Sequence, residues 1–143
     1  MNISVESYAE ICKQLAFISA IVAGFSFAFI SVLYTSSIDK RVVDWVIGFS
    51  ISSIAGLLVC ALAWTLGASR MAYYVYAGIK ELPAIFISMH RILSFIFVLS
   101  FFFFLLTLGL SGWIRSRKLG IISSIIALFS GSFIVWILNN FRT

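Results

Sequence analysis

The side chains able to do chemistry are few and poorly spaced for it. The 143-residue chain carries one His, His90, and two cysteines, Cys12 and Cys60. A zinc site needs four nitrogen or sulfur ligands, or three and an open position, and these three residues lie too far apart in sequence to read as ligand pairs. Hydrolysis or group transfer needs a nucleophile held beside a base, or a bound metal. His90 stands beside Arg91 at the edge of an apolar run and reads as a side chain of the membrane interface. Cys12 and Cys60 read as unpaired thiols. No catalytic residue, metal ligand or cofactor is expected, and the chain is not expected to be an enzyme.

The elements that would position any site are legible from composition. The chain is 62% hydrophobic and 10% charged, against about a quarter charged in soluble domains, and its mean hydropathy is +1.13. A soluble domain of this size cannot hide so much apolar surface, so lipid is the solvent. A spanning helix takes roughly 20 mostly apolar residues. Four runs meet that, over residues 15–34, 45–68, 92–114 and 119–138, and none holds an Asp, Glu, Lys, Arg or His. The expectation is an all-α polytopic protein: one four-helix transmembrane domain over residues 1–143, built as two antiparallel hairpins in the cell (inner) membrane. The N-terminal segment holds Glu6 and Glu10 instead of the basic start of a signal peptide, and the first apolar run is long enough to span.

Charge placement removes several function classes. Proton-coupled transporters, pumps and voltage sensors use ionisable groups inside the membrane, and secondary transporters break their helices near the midplane. Here the spans are charge-free, and the single proline, Pro83, lies between spans. The net charge of +5 is most simply attraction to anionic headgroups. Nucleic-acid binding calls for a clustered basic patch, and the largest cluster, Arg115, Arg117 and Lys118, sits at a hairpin tip, so no nucleic-acid partner is expected. The positive-inside rule is tied. Lys13, Arg70, Lys80, Arg91 and Arg142 fall on one side, and Lys40, Arg41, Arg115, Arg117 and Lys118 on the other. The longest link favours its own side as cytoplasmic, together with both termini.

Local signals refine the elements. Ser7 and Glu10 have the spacing of a capping box, which would start the first helix at Ser7. Residues 35–44 and 115–118 read as short turns. The middle link, 69–91, is long and only mildly polar, with Tyr73, Tyr74 and Tyr76, a residue type that favours the interface. It predicts a second helix running on to about Gly78, a turn at Pro83, and a third helix from near Ala84. With Arg70 and Lys80 this link could also dock a soluble protein partner.

Small residues recur at helical spacing. Gly48, Ser52, Gly56 and Cys60, then Ala63 and Gly67, form a ridge on the second span. Gly120, Ser124, Ala127 and Gly131 form one on the fourth, and Ala16, Ala20 and Ala23 one on the first. Such ridges let backbones approach closely in lipid, within one chain or in a homo-oligomer. The third span, with Phe95, Phe97 and Phe101 through Phe104, is bulky and predicts a lipid-facing side.

In the first span, Ser19-Ala20-Ile21-Val22-Ala23-Gly24-Phe25 is similar to the Ser-Ala-Leu-Leu-Ser-Gly-Phe stretch in the pore helix of the Orai family of calcium-release-activated channels. Met89-His90-Arg91 before the third span, and Trp113 closing it, also resemble features of that family. The likeness covers topology over most of the chain but sequence over about a dozen residues. It implies a ring of subunits with cytosolic termini, a second helix that extends into the cytosol, and a pore lined by the first helix. The pore side would be Lys13, Phe17, Ile21, Gly24, Phe25, Ala28 and Val32, which share one stripe by helical spacing. The family's filter carboxylate falls at Val32, and its basic stretch is reduced to Lys13, so calcium selectivity is not implied. The expectation is an oligomeric ion channel or pore with an apolar gate, of the kind a membrane-permeabilising bacterial effector would use. The alternative is a membrane anchor or accessory subunit docking its partner through 69–91. A small-solute or lipid carrier is a third reading and would need a lateral cleft.

Overall fold

A computed structural model describes residues 4–34, 40–79 and 83–140. They form four helices in chain order: α1 (Val5–Tyr34), α2 (Lys40–Tyr76), α3 (Ala84–Arg115) and α4 (Arg117–Asn140). The described residues contain no strand. Each helix holds a window long and apolar enough to cross a membrane. In hydrocarbon only a helix or a closed barrel satisfies the backbone, and these runs contain no proline to interrupt the ladder. The chain is an all-α, four-helix membrane protein.

The helix ends follow from their terminal residues. The capping box at Ser7 and Glu10 is displaced by one turn: α1 begins at Val5, with Ser4 as its cap. Ser7 N–H donates to Ser4 Oγ at 3.2 Å, which satisfies one of the four free amides of the first turn. Glu10 is left to an exposed ion pair with Lys13 at 3.4 Å, a kind that contributes little.

α2 is 37 residues long, about 55 Å at 1.5 Å per residue, well beyond the roughly 30 Å of hydrocarbon. It therefore continues past the bilayer core toward Gly78, as the tyrosine-rich link predicts. Its end is a Schellman motif. Ile79 N–H donates to Tyr74 O at 3.0 Å and Gly78 N–H to Val75 O at 3.1 Å. Gly78 takes φ +71°, a conformation that glycine adopts without the Cβ clash. Pro83 then caps α3 in extended geometry, and Phe86 N–H donates to Pro83 O at 3.0 Å.

The α3–α4 link is shorter than the four-residue turn the sequence indicates. Ser116 alone breaks the helix, with φ −166° and ψ 155°. Its N–H donates to Gly112 O at 3.2 Å, and its Oγ accepts from Leu119 N–H at 3.2 Å. Arg117 and Lys118 thus lie in the first turn of α4, where the helix dipole disfavours them by some tenths of a kcal/mol.

Among the described residues, extended packing joins only helices that are neighbours in sequence: α1 on α2, α2 on α3, and α3 on α4. The chain is an open row of two antiparallel hairpins. Tyr8 adds a link from α1 to α3, its hydroxyl donating to Phe86 O at 3.2 Å. The main core sits at this end, where Tyr8, Cys12 and Ala16 of α1 meet Cys60, Trp64 and Met71 of α2 and Phe86 and Leu93 of α3. α4 is the least covered helix: Gly120 and Gly131 are its only buried residues among those described.

Candidate functional site

The inner face of α1 is made of small residues. Cys12, Ala16, Ser19, Ala23 and Ser26 are buried, followed by Ile30 and Leu33, in alternating steps of four and three that keep to one seam. Ser19 and Ser26 donate to the carbonyls of Leu15 and Val22 at 2.7 and 2.9 Å, so neither hydroxyl is orphaned against α2. The opposite face is the sequence-predicted pore stripe. Lys13, Phe17, Ile21, Gly24, Phe25, Ala28 and Val32 are all exposed on the single chain. A Cβ added at Gly24 would meet nothing within 4 Å. The structure brings these seven residues to one outer face, and among the described residues no other helix covers it.

The small-residue ridges divide. On α2, Gly56 packs against Ser100 of α3, and Cys60 donates to Leu93 O at 3.5 Å. Gly48 and Ser52 of the same ridge are exposed, and a Cβ at Gly48 would meet nothing within 4 Å. On α4 the ridge lies along α3. Gly120 carries the Trp113 ring, whose Nε1–H donates to Ser124 Oγ at 3.0 Å. Ser124 and Ser123 both donate to Gly109 O, at 3.3 and 2.7 Å, and Gly131 sits against Leu105 and Phe102. On α1, Ala16 and Ala23 are buried and Ala20 is exposed. The phenylalanine run of α3 is divided too: Phe103 stacks on Phe49 at 5.8 Å and Phe97 packs on Trp64 at 5.5 Å, while Phe95 is exposed.

In the middle link, Tyr73 and Tyr76 point outward, Tyr76 with 92% of its surface free. Tyr74 instead packs edge-on against Phe86 at 6.0 Å. Lys80 lies outside the described residues.

Sequence spacing missed one cluster. Tyr8 and His90 meet edge-on at 5.4 Å, and Trp64 lies 6.3 Å from His90. Trp64 is 2% exposed, and Trp64 Nε1 and His90 Nδ1 are both buried without a hydrogen-bond partner. The Trp64 and His90 side chains line one end of an apolar cavity of about 420 Å³, walled also by Leu15, Ser94, Phe97, Phe101, Leu105 and Ile134 among others. The wall draws on all four helices, so no single run of sequence could reveal it. The only local signal is a Trp and a His placed at the ends of two neighbouring apolar runs.

Four long apolar helices in an open row define a multi-pass membrane protein of the all-α class. Compared with family models, curated proteins and solved structures, the chain has no match in any of the three.

Proposed function

We propose that the chain assembles as a homo-oligomeric pore of the cell membrane, with copies arranged so that the outer stripe of α1 lines the axis. The observation that carries this reading is the division of α1 into two faces. One is sealed on α2 by small residues, and the other is exposed from Lys13 to Val32. From Lys13 to Val32 the exposed stripe runs about 29 Å at 1.5 Å per residue, close to the roughly 30 Å hydrocarbon thickness. Its lining is apolar apart from Lys13, which suits a gate that closes by expelling water. Beside it, a shallow groove of about 670 Å³ between α1 and α2 is floored by Ala16, Ala20, Ala61, Ala68 and Ala72. Small residues of this kind let a helix of a neighbouring copy approach closely. Both termini and the long middle link are taken as cytoplasmic. The test is the mass of the purified protein in mild detergent, followed by ion flux through liposomes that contain it. A discrete oligomer that passes ions is the expected result. A monomer or dimer with no flux overturns the reading.

A second reading, an anchor that docks a soluble protein, is favoured by one observation: α2 carries Tyr73 and Tyr76 outward on a helix that continues beyond its apolar run. Changing Tyr73 and Tyr76 to Ser together, with Tyr74 kept for its contact to Phe86, is expected to abolish co-purification of such a partner and to leave thermal stability unchanged. Retention of the partner by the double variant removes this surface.

A further inference from the structure

We propose that the cavity beside Trp64 and His90 holds one ester-linked acyl chain of a membrane lipid, with the Trp64 indole N–H donating to the ester carbonyl. The indole nitrogen is a donor only, and buried Trp N–H groups normally find an acceptor. Here Nε1 has none among the described residues, on a side chain that is 2% exposed. His90 Nδ1 is buried and unpartnered beside it. Each such group in a native protein calls for a partner, and the described residues supply none.

The shape of the cavity says what that partner is. Its polar groups gather at one end, at Trp64, His90 and Ser94, and the remainder is wall of Phe97, Phe101, Leu105 and Ile134. A water molecule could serve the polar end, where Trp64, His90 and Ser94 offer the two to four polar partners it needs, but it would leave most of about 420 Å³ empty. That volume lies in the roughly 300–1,000 Å³ range of small-ligand sites.

The depth fits a lipid. Trp64 lies near the end of the second apolar run, and His90 stands just before the start of the third. The polar end is therefore at the level where headgroup gives way to hydrocarbon. From His90 to Leu105 the wall descends about 22 Å along α3, at 1.5 Å per residue, most of the way through a roughly 30 Å core. Among the described residues no Lys or Arg lines the cavity, so none of them selects a phosphate there. What it offers is a donor for a carbonyl and a trough for a chain. The site is built within a single copy and does not depend on the pore reading.

The experiment uses the full-length protein in vesicles of diester phosphatidylcholine, and in parallel vesicles of the diether analogue, which lacks the carbonyls. Lipid retained per chain is then counted by native mass spectrometry after mild detergent transfer. The expected result is one diester lipid retained per chain, and roughly tenfold weaker retention of the diether, the effect of one hydrogen bond. Trp64→Phe keeps the ring contact with Phe97 and is expected to erase the ester preference. Ser94→Leu, which plugs the polar end from α3, is expected to remove retention altogether. Equal retention of ester and ether lipid, an ester preference that survives in Trp64→Phe, or retention unchanged in Ser94→Leu overturns the proposal. So does recovery of an isoprenoid quinone in place of phospholipid. Ion flux and oligomer mass in Trp64→Phe are expected to match wild type, which separates this site from the pore.

Discussion

Gly112→Val is expected to pull α4 away from α3 and to lower the melting temperature of the detergent-solubilised protein by roughly 10 °C, the shift that about 3 kcal/mol produces in a chain of this size. Gly112 lies against the first turns of α4, at Leu119 and Ser123. A Cβ there would meet Ser123 Oγ, and also the carbonyl oxygen and carbon of Leu119 at 2.5 and 2.8 Å. A side-chain atom can rotate away, but the Leu119 backbone cannot. It is tied through its N–H to Ser116 Oγ, and Ser116 N–H is tied in turn to Gly112 O. The substitution would gain only some tenths of a kcal/mol in helix propensity, because β-branched Val is itself a weak helix former, against an overpacking cost at or above the usual ceiling of about 3 kcal/mol. The clash wins. Gly48→Val gives the matched comparison, because a Cβ there meets nothing within 4 Å in the single chain. Its melting temperature in monomeric form should stay near wild type. Equal losses from the two variants would mean that small size at these positions reflects something other than the contacts of one chain.

The contrast between Gly112 and Gly48 also shows what the sequence carried and what it did not. Length and apolarity were enough for four helices, and Gly78 and Pro83 were enough for the end of α2 and the start of α3. These are local properties, set by the bilayer and by the conformations of two residues. Faces were less legible. A helix turns about 100° per residue, so a strict step of four drifts about 40° each time. The ridge Gly48, Ser52, Gly56, Cys60 takes three such steps and rotates by about 120°. Its lower half accordingly meets α3 while its upper half faces outward. Gly120, Ser124, Ala127 and Gly131 step four, three, four, which cancels most of the drift, and that ridge stays on α3. The buried positions of α2 from Val46 to Trp64, namely Val46, Ser50, Ser53, Leu57, Cys60 and Trp64, follow the same alternation. The cavity at Trp64 was beyond this kind of reading, because periodicity assigns a residue to a face but not to the helix opposite.

Gly24→Asp is expected to raise cation conductance through liposomes at least tenfold over wild type and to bias it toward cations. Gly24 lies about 17 Å along the helix from Lys13 at 1.5 Å per residue, near the middle of the exposed stripe. The new side chain has room, because nothing lies within 4 Å of a Cβ built there. The substitution therefore tests solvent rather than packing. If the stripe surrounds an axis between copies, a ring of carboxylates wets an apolar constriction and draws cations into it. If the stripe faces hydrocarbon, each carboxylate costs about 2.5–3.5 kcal/mol at the centre of the span, and membrane insertion falls with no current gained. The two environments thus give opposite signs from one change. Phe25→Ser, which opens the adjacent position without a charge, should raise the leak in the first case without cation bias. Gly24→Ala should leave both insertion and conductance near wild type, because it adds neither charge nor a clash. Unchanged conductance in both Gly24→Asp and Phe25→Ser, with the protein inserted normally, would take α1 out of the conducting path. The exposed face of α1 would then belong to lipid or to a partner.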